Sequence, residues 1–254
     1  MELVDVHCHL ENDFFQSNLD ETLSFARRAG VRKLITASAY PAQWSLSAEL
    51  ARRYEAVEFA VGIHPWYCPE SVDSHLASLA SAALGAVAIG EIGLDAKTQR
   101  YPMARQLDIL IPQLELARDL ELPVVLHCRG AFNELLMLLR KYGPERGGVV
   151  HNFSGSPELA EELIQHGFSF SMGGVLTWRN SPKRARLLRA IYPDHFMLET
   201  DAPDIPPVEA RGTPNTPANI LYVLRAASEI LERPAEEIAA MTTRNAARLF
   251  DLHL

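Results

Sequence analysis

The sequence predicts an α/β chain folded as a TIM-like (β/α)8 barrel, and three observations carry that expectation. Apolar runs of strand length alternate with helical patterns along all 254 residues. Eight such units follow one another, which suits a closed parallel barrel at this chain length. The runs also end in chemistry: His7 and His9, His64, Glu91, His127, His151 and Asp201 each fall at or just past the end of one. A barrel gathers its strand ends round one cavity, so these residues would meet.

The elements follow in order. Leu3-Val4-Asp5-Val6 opens the first strand. On an extended backbone His7 and His9, two apart, project from one face. Residues 20–29 predict a helix stopped by Gly30, and 31–36 a strand. A helix over 42–55 leads to a strand over 56–63 that runs into His64-Pro65. A helix over 71–83 precedes a strand over 85–89 entering Gly90-Glu91-Ile92-Gly93-Leu94-Asp95. A long helix spans 103–120, with Pro112 expected to kink it.

Residues 123–127 are near-continuously apolar, as in a strand buried on both faces. Helix and strand then alternate over 131–141, 148–151, 157–166, 168–171, 182–190 and 196–201, and helices over 217–231 and 235–249 close the chain. No composition break marks a linker, so 1–254 reads as a single domain. An open doubly wound sheet would need a glycine-rich first turn. The turn after the first strand is instead Cys8-His9-Leu10-Glu11-Asn12.

Composition narrows the function classes. A formal charge of -8 disfavours a protein that coats duplex DNA by charge alone. It does not disfavour a phosphoesterase, because acidic ligands would be offset by bound cations. No apolar run approaches the ~18 residues of a membrane span. No basic segment precedes an apolar one at the start, so a cytoplasmic protein is expected, without membrane contact. Cys8, Cys68 and Cys128 are too few and scattered for a disulfide scaffold. Cys8 and Cys128 alternate with candidate ligands and should point into the packing.

Five of the nine histidines stand at these strand ends. A single histidine capping a strand is more often a hydrogen-bonded core residue, but the set together suits two divalent ions. His7, His9 and Asp201 would hold one, since the eighth strand returns beside the first; Asp5 is near enough to ligate or to orient a ring. His127 and His151 end adjacent strands and would hold the other, with Glu91 as the bridging carboxylate. Such a pair activates water and clamps the oxygens of a displacement. Asp201 is also placed to take or orient the water proton.

Around this set, Arg129 could offer a fork to phosphate, or merely fix a loop. Ser154 and Ser156 precede a helix and would face an anion or simply cap it. His64 would reach substrate or support a ligand. Glu199 and Asp204 flank Asp201 and are candidates for proton transfer or a weaker metal position. Phe14, Phe15, Trp44, Trp66 and Trp178 fall near expected loops, where an aromatic ring stacks on a base or packs beneath the loop.

These residues resemble the TatD family of metal-dependent deoxyribonucleases, within the amidohydrolase-like barrels. The resemblance runs through Asp5-Val6-His7-Cys8-His9, Gly62-Ile63-His64-Pro65, Gly90-Glu91-Ile92-Gly93-Leu94-Asp95 and Leu122-Pro123-Val124-Val125-Leu126-His127-Cys128-Arg129. It continues through His151-Asn152-Phe153-Ser154-Gly155-Ser156, Glu199-Thr200-Asp201-Ala202-Pro203, Arg211-Gly212-Thr213-Pro214-Asn215 and Asn245-Ala246-Ala247-Arg248-Leu249-Phe250. It implies a barrel holding two divalent ions, with a third in some members, on His7, His9, Glu91, His127, His151 and Asp201. The implied metals are Mg2+ or Mn2+ in the cell, with Zn2+ or Ni2+ as crystal occupants. The implied activity is hydrolysis of DNA phosphodiesters, in several members a 3′-to-5′ exonuclease on single strands.

Two loops depart from the wider pattern: 96–101 is short, and 36–40 lacks a glycine-rich or acidic turn. The shorter pattern is similar to the bacterial YjjV-type branch. The expected partner is therefore single-stranded DNA, with a small phosphoester, amide or lactone as the alternative substrate. A monomer is expected.

Overall fold

The computed structural model describes residues 1–69, 73–178 and 181–254. The chain enters through β1 (Leu3–Cys8), α1 (Asp13–Gln16), α2 (Leu19–Arg28), β2 (Val31–Ser38), α3 (Pro41–Arg53) and β3 (Val57–Val61). It continues through α4 (Asp73–Ala82), β4 (Ala88–Asp95), α5 (Met103–Asp119), β5 (Val124–Arg129), α6 (Phe132–Tyr142) and β6 (Gly148–Val150). Then come α7 (Pro157–Gln165), β7 (Phe168–Met172), α8 (Pro182–Ile191), β8 (Phe196–Leu198), α9 (Ile220–Leu231) and α10 (Ala235–Phe250). The first two residues of the helix expected over 71–83 lie outside the described residues. Among the described residues, no helix is long and apolar enough to cross a membrane.

The eight strands form one parallel sheet in the order β1-β2-β3-β4-β5-β6-β7-β8. β8 reaches β1 through point contacts. Asp201 donates its backbone N–H to His7 O at 2.9 Å, and His9 N–H donates to Ala202 O at 2.8 Å. The wholly buried Asp5 carboxylate accepts the Thr200 N–H at 2.9 Å and the Thr200 hydroxyl at 2.5 Å. The barrel is thus nearly closed, and a side chain of β1 completes the seam.

The period-two rule places the chemistry. Val125, Val149 and Met197 share one apolar cluster with Val4, Val6, Ile35 and Ala37. One alternation further along the same faces come His127, His151 and Glu199. On β1 and β4 the pairing register shifts between Asp5 and Cys8 and between Ile89 and Ile92, at the positions of His7 and Glu91. A local shift of this kind re-aims a side chain. Gly93 serves the same passage. Its φ is +147°, and a Cβ there would stand 1.9 Å from the His127 carbonyl oxygen, so β4 and β5 approach this closely only with glycine.

α10 lies across the N-terminal ends of β1 and β8. Thr243 donates to Glu2 O at 2.8 Å, and Asn245 donates to Pro193 O and Phe196 O at 2.7 and 2.9 Å. Its Ala246 and Phe250 join the Val125 cluster. α5 runs from Met103 to Asp119 with Pro112 inside it. α1 is too short for periodicity to signal it; Asn12 caps it by accepting from Phe14 N–H at 3.0 Å.

Candidate metal centre

Glu91 is the hub of the strand-end cluster. Its Oε1 lies 3.0 Å from His151 Nε2, 3.2 Å from His127 Nδ1 and 3.3 Å from His64 Nε2. Its Oε2 faces the other way, 3.7 Å from His7 Nε2 and 3.8 Å from His9 Nε2. Asp201 Oδ1 stands 3.4 Å from both of those nitrogens. Three groups could each hold a cation, with ligand atoms within 4.8 Å of one another: His7, His9 and Asp201; His7, Glu91 and His151; and His64, Glu91 and His127. The first is the expected half on His7, His9 and Asp201. The expected second half is divided: His151 groups with His7, whose ring stacks on it at 4.1 Å, and His127 groups with His64, although the facing His127 and His151 nitrogens are 3.2 Å apart.

The chemistry of the donors fits a cation. His7 is wholly buried, and neither of its ring nitrogens has a hydrogen-bond partner; His151 Nδ1 has none either. Buried nitrogens left so are costly, and a cation satisfies a lone pair. His127 Nδ1 and His151 Nε2 converge to 3.2 Å. Burial drives His7 down to about 4, which keeps it neutral and ligating. Burial opposes the charges on Glu91 and Asp201. The imidazoles override it, His64 and His151 foremost for Glu91 and His7 and His9 for Asp201, and hold both carboxyls below the usual range. Asp201 sits in the left-handed region at φ 58°, a conformation that aspartate tolerates better than most residues.

The supporting residues were harder to foresee. Asp5 does not face the cluster; it clamps Thr200, next to Asp201. Glu199 lies wholly buried behind His151, with Oε2 3.8 Å from His151 Nδ1. It accepts the Asn152 N–H at 2.9 Å and the Ser171 hydroxyl at 2.5 Å, and burial lifts it to about 8. Asp95, quoted in the fourth-strand motif but given no role, stands 3.3 Å from His127 Nε2. Glu11, also without an assigned role, is buried with Oε1 3.4 Å from His9 Nδ1 and accepts from the Thr36 hydroxyl. A strand-alternation signal existed for both: Asp95 is four residues past Glu91, and Glu11 two past His9.

The cluster opens into a cavity of about 770 Å³. Trp66, Tyr67, Gln43 and Glu11 line one side, and Arg129, Asn152, Ser154, Trp178, Lys183 and Arg184 another. Arg129 is exposed on the rim, and Asp204 lines the mouth near Asp201. Ser156 is the cap of α7, accepting from Leu159 N–H at 3.2 Å, whereas Ser154 lines the cavity. Of the aromatics, Phe15 and Trp44 are core residues, Phe14 is exposed, and Trp66 and Trp178 line the cavity. Cys8 is buried as expected; Cys128 is also buried but borders the cavity.

Known proteins resemble this chain over nearly its whole length. The sequence pattern described as TatD related DNase matches residues 4–251. The chain belongs to the TatD family. It is 32% identical over 254 residues to YabD of Bacillus subtilis, covering 99% of this chain and 100% of that protein. It is 34% identical over 253 residues to YjjV of Escherichia coli, covering 98% of each. Both relatives carry the name of uncharacterized metal-dependent hydrolases. The crystal structure of YjjV superposes with a TM-score of 0.94 over 99% of this chain and 98% of that one. A mouse relative, TATDN3, is 32% identical over 98% of this chain and 88% of its own length, and is named provisionally as a deoxyribonuclease. This TatD-family chain is therefore a metal-dependent hydrolase with groups able to bind metal at its strand ends.

Proposed function

We propose that this TatD-family hydrolase cleaves phosphodiester bonds at the end of a DNA strand. In this reading His7, His9 and Asp201 hold one divalent ion, and His127 and His151 hold a second with His64 beside it. Glu91 is shared between them. The observation that carries the reading is the division of Glu91, whose two oxygens address separate groups of imidazoles. Bound there, divalent cations supply Lewis acidity that makes water a nucleophile near neutral pH and stabilises charge on phosphoryl oxygens.

The chain's own residues do the rest. Asp201 lines the cavity with a carboxylate held ionised, so it accepts the proton of the attacking water or orients that water. Glu199, behind His151, steadies that ring rather than touching substrate. Arg129 and Lys183 present cationic donors from the rim to the phosphate backbone. The cavity volume suits one nucleotide rather than a duplex, which favours a chain end and an exonuclease. The mouse relative's name points to the same substrate.

The same volume supports a second reading, hydrolysis of a small phosphoester, because small-ligand pockets commonly run to roughly 300–1,000 Å³. One screen separates the two. Single-stranded and duplex oligonucleotides labelled at either end, together with small phosphodiesters, phosphomonoesters, amides and lactones, are incubated with protein loaded with Mg2+, Mn2+, Co2+ or Zn2+. Release of mononucleotides that is lost in His127→Ala is the expected result. Intact oligonucleotides under every metal, with turnover confined to small esters, would overturn the DNA assignment.

A further inference from the structure

We propose that Asp95 is a positioning residue: it holds His127 with Nδ1 turned to the metal centre and ties the Trp66 wall of the cavity to that same ring. The inference rests on the metal-binding half of the proposed function and not on the identity of the substrate.

Asp95 closes β4 and is wholly buried. Its main chain is pinned by Gln106, whose side chain accepts from Asp95 N–H at 2.8 Å and donates to Asp95 O at 3.0 Å. Its Oδ1 accepts the N–H groups of Lys97 and Thr98 at 2.8 and 3.1 Å, which fixes the carboxylate plane and shapes the following turn. A residue needed only for the turn would use that oxygen alone. The other oxygen, Oδ2, accepts the Trp66 indole N–H at 2.7 Å and lies 3.3 Å from His127 Nε2.

The consequence for His127 follows from donor and acceptor roles. Both ring nitrogens face a carboxylate, Nε2 the Asp95 Oδ2 at 3.3 Å and Nδ1 the Glu91 Oε1 at 3.2 Å. A cation held on the Glu91 side would take the Nδ1 lone pair, and the ring proton then stays on Nε2, where Asp95 accepts it. Carboxylates behind metal-bound histidines fix tautomer and ring orientation in this way.

The Trp66 contact adds a link that a simple carboxylate–histidine pair lacks. The indole packs edge-on to His64 at 4.9 Å and to His127 at 5.9 Å, and it lines the cavity. One oxygen therefore couples the wall of the cavity to two histidines of the second half. Two other rings face a carboxylate less closely: His9 Nδ1 lies 3.4 Å from Glu11 but meets the Ala37 carbonyl at 2.8 Å, and His151 Nδ1 stands 3.8 Å from Glu199.

The test reads metal uptake, not hydrolysis. Metal-free protein and its Asp95→Asn and Trp66→Phe variants are titrated with Mn2+ by calorimetry, with tryptophan emission followed in parallel. Asp95→Asn is expected to weaken the second half by about 10–100-fold while the His7–His9–Asp201 half keeps its affinity. The emission change that accompanies the second binding event should be lost in Asp95→Asn and in Trp66→Phe, while Trp66→Phe keeps wild-type metal affinity. A purely structural Asp95 would lower thermal stability and leave both affinities unchanged, which would overturn the inference. If Asp95→Asn does not fold, 15N spectra of zinc-loaded wild-type protein decide, with the His127 signals assigned by their loss in His127→Gln. A protonated Nε2 supports the inference, and a protonated Nδ1 sinks it. A positive outcome without DNA cleavage would remove the phosphodiesterase reading alone; wild-type protein that takes up no metal would remove both.

Discussion

On the β1–β8 side of the centre, His7 and Asp201 are bound into the backbone seam of the barrel. His7 O accepts the Asp201 N–H, and Asp5 grips Thr200 between them and the strand. On the β4–β6 side, His127 projects from β5 and His151 from the residue just past β6, and they face the carboxylates of Asp95 and Glu199. The first half is thus organised by the same contacts that close the fold. The second is organised by side chains that the fold merely brings near. Damage to the first half should appear as lost stability as well as lost metal, whereas damage to the second should appear in affinity alone.

Glu91 belongs to both halves, so its loss gives the largest effect. Glu91→Gln keeps the volume but removes the charge shared by five imidazoles. It should weaken both metal-binding events and lower kcat by roughly 10²–10³-fold or more, the scale seen when one electrostatic stabiliser of a transition state is removed. Thermal unfolding with and without Mn2+ gives an independent readout. Wild-type protein should gain about 2.7 kcal/mol at a metal concentration 100 times Kd. The variant should gain little. A full metal-dependent gain in Glu91→Gln would show that the halves bind without a bridge.

Thr200→Val tests the seam. It leaves the buried Asp5 Oδ2 without the hydroxyl that donates to it. An unsatisfied buried acceptor costs about 1–3 kcal/mol, to be read as a fall in urea midpoint with unchanged slope. The comparison further predicts that the His7–His9–Asp201 half loses affinity and the other half does not. Equal losses in both halves, or none in stability, would erase the distinction drawn between them.

The sequence made the candidate ligands legible because strands have period two and barrels gather strand ends; picking out His7, His9, Glu91, His127, His151 and Asp201 as candidates needed no more than that. It made the supports less legible for a physical reason. Asp95 ends β4 four residues past Glu91, but alternation does not say which ring its carboxylate meets, and Trp66 reaches the same oxygen from a loop 29 residues earlier in the chain. That loop contact has no period to detect. Asp5 shows the converse: its place beside His7 suited ligation or the orienting of a ring, and its carboxylate is taken up by Thr200 and by the His7 N–H at 3.3 Å.

The smallest expected effect lies outside both halves, on the basic rim. Lys183 reaches from the first turn of α8 to the Ser154 carbonyl, 2.9 Å away, and so stands across the mouth of the cavity with its charge exposed. If a strand leaves the cavity along this side, each phosphate it neutralises there releases counterions. The slope of log affinity against log salt should then fall by about 0.7 for each contact removed on single-stranded DNA. Lys183→Ala and Arg129→Ala should each lose about that much, and the double variant about twice as much. Turnover of a small phosphodiester, which needs only the metal halves, should stay at the wild-type level in all three. A drop in small-substrate turnover would place these cations in the reaction itself. An unchanged salt slope would mean that the strand leaves by another wall, with Trp66 and Tyr67 the next surface to probe.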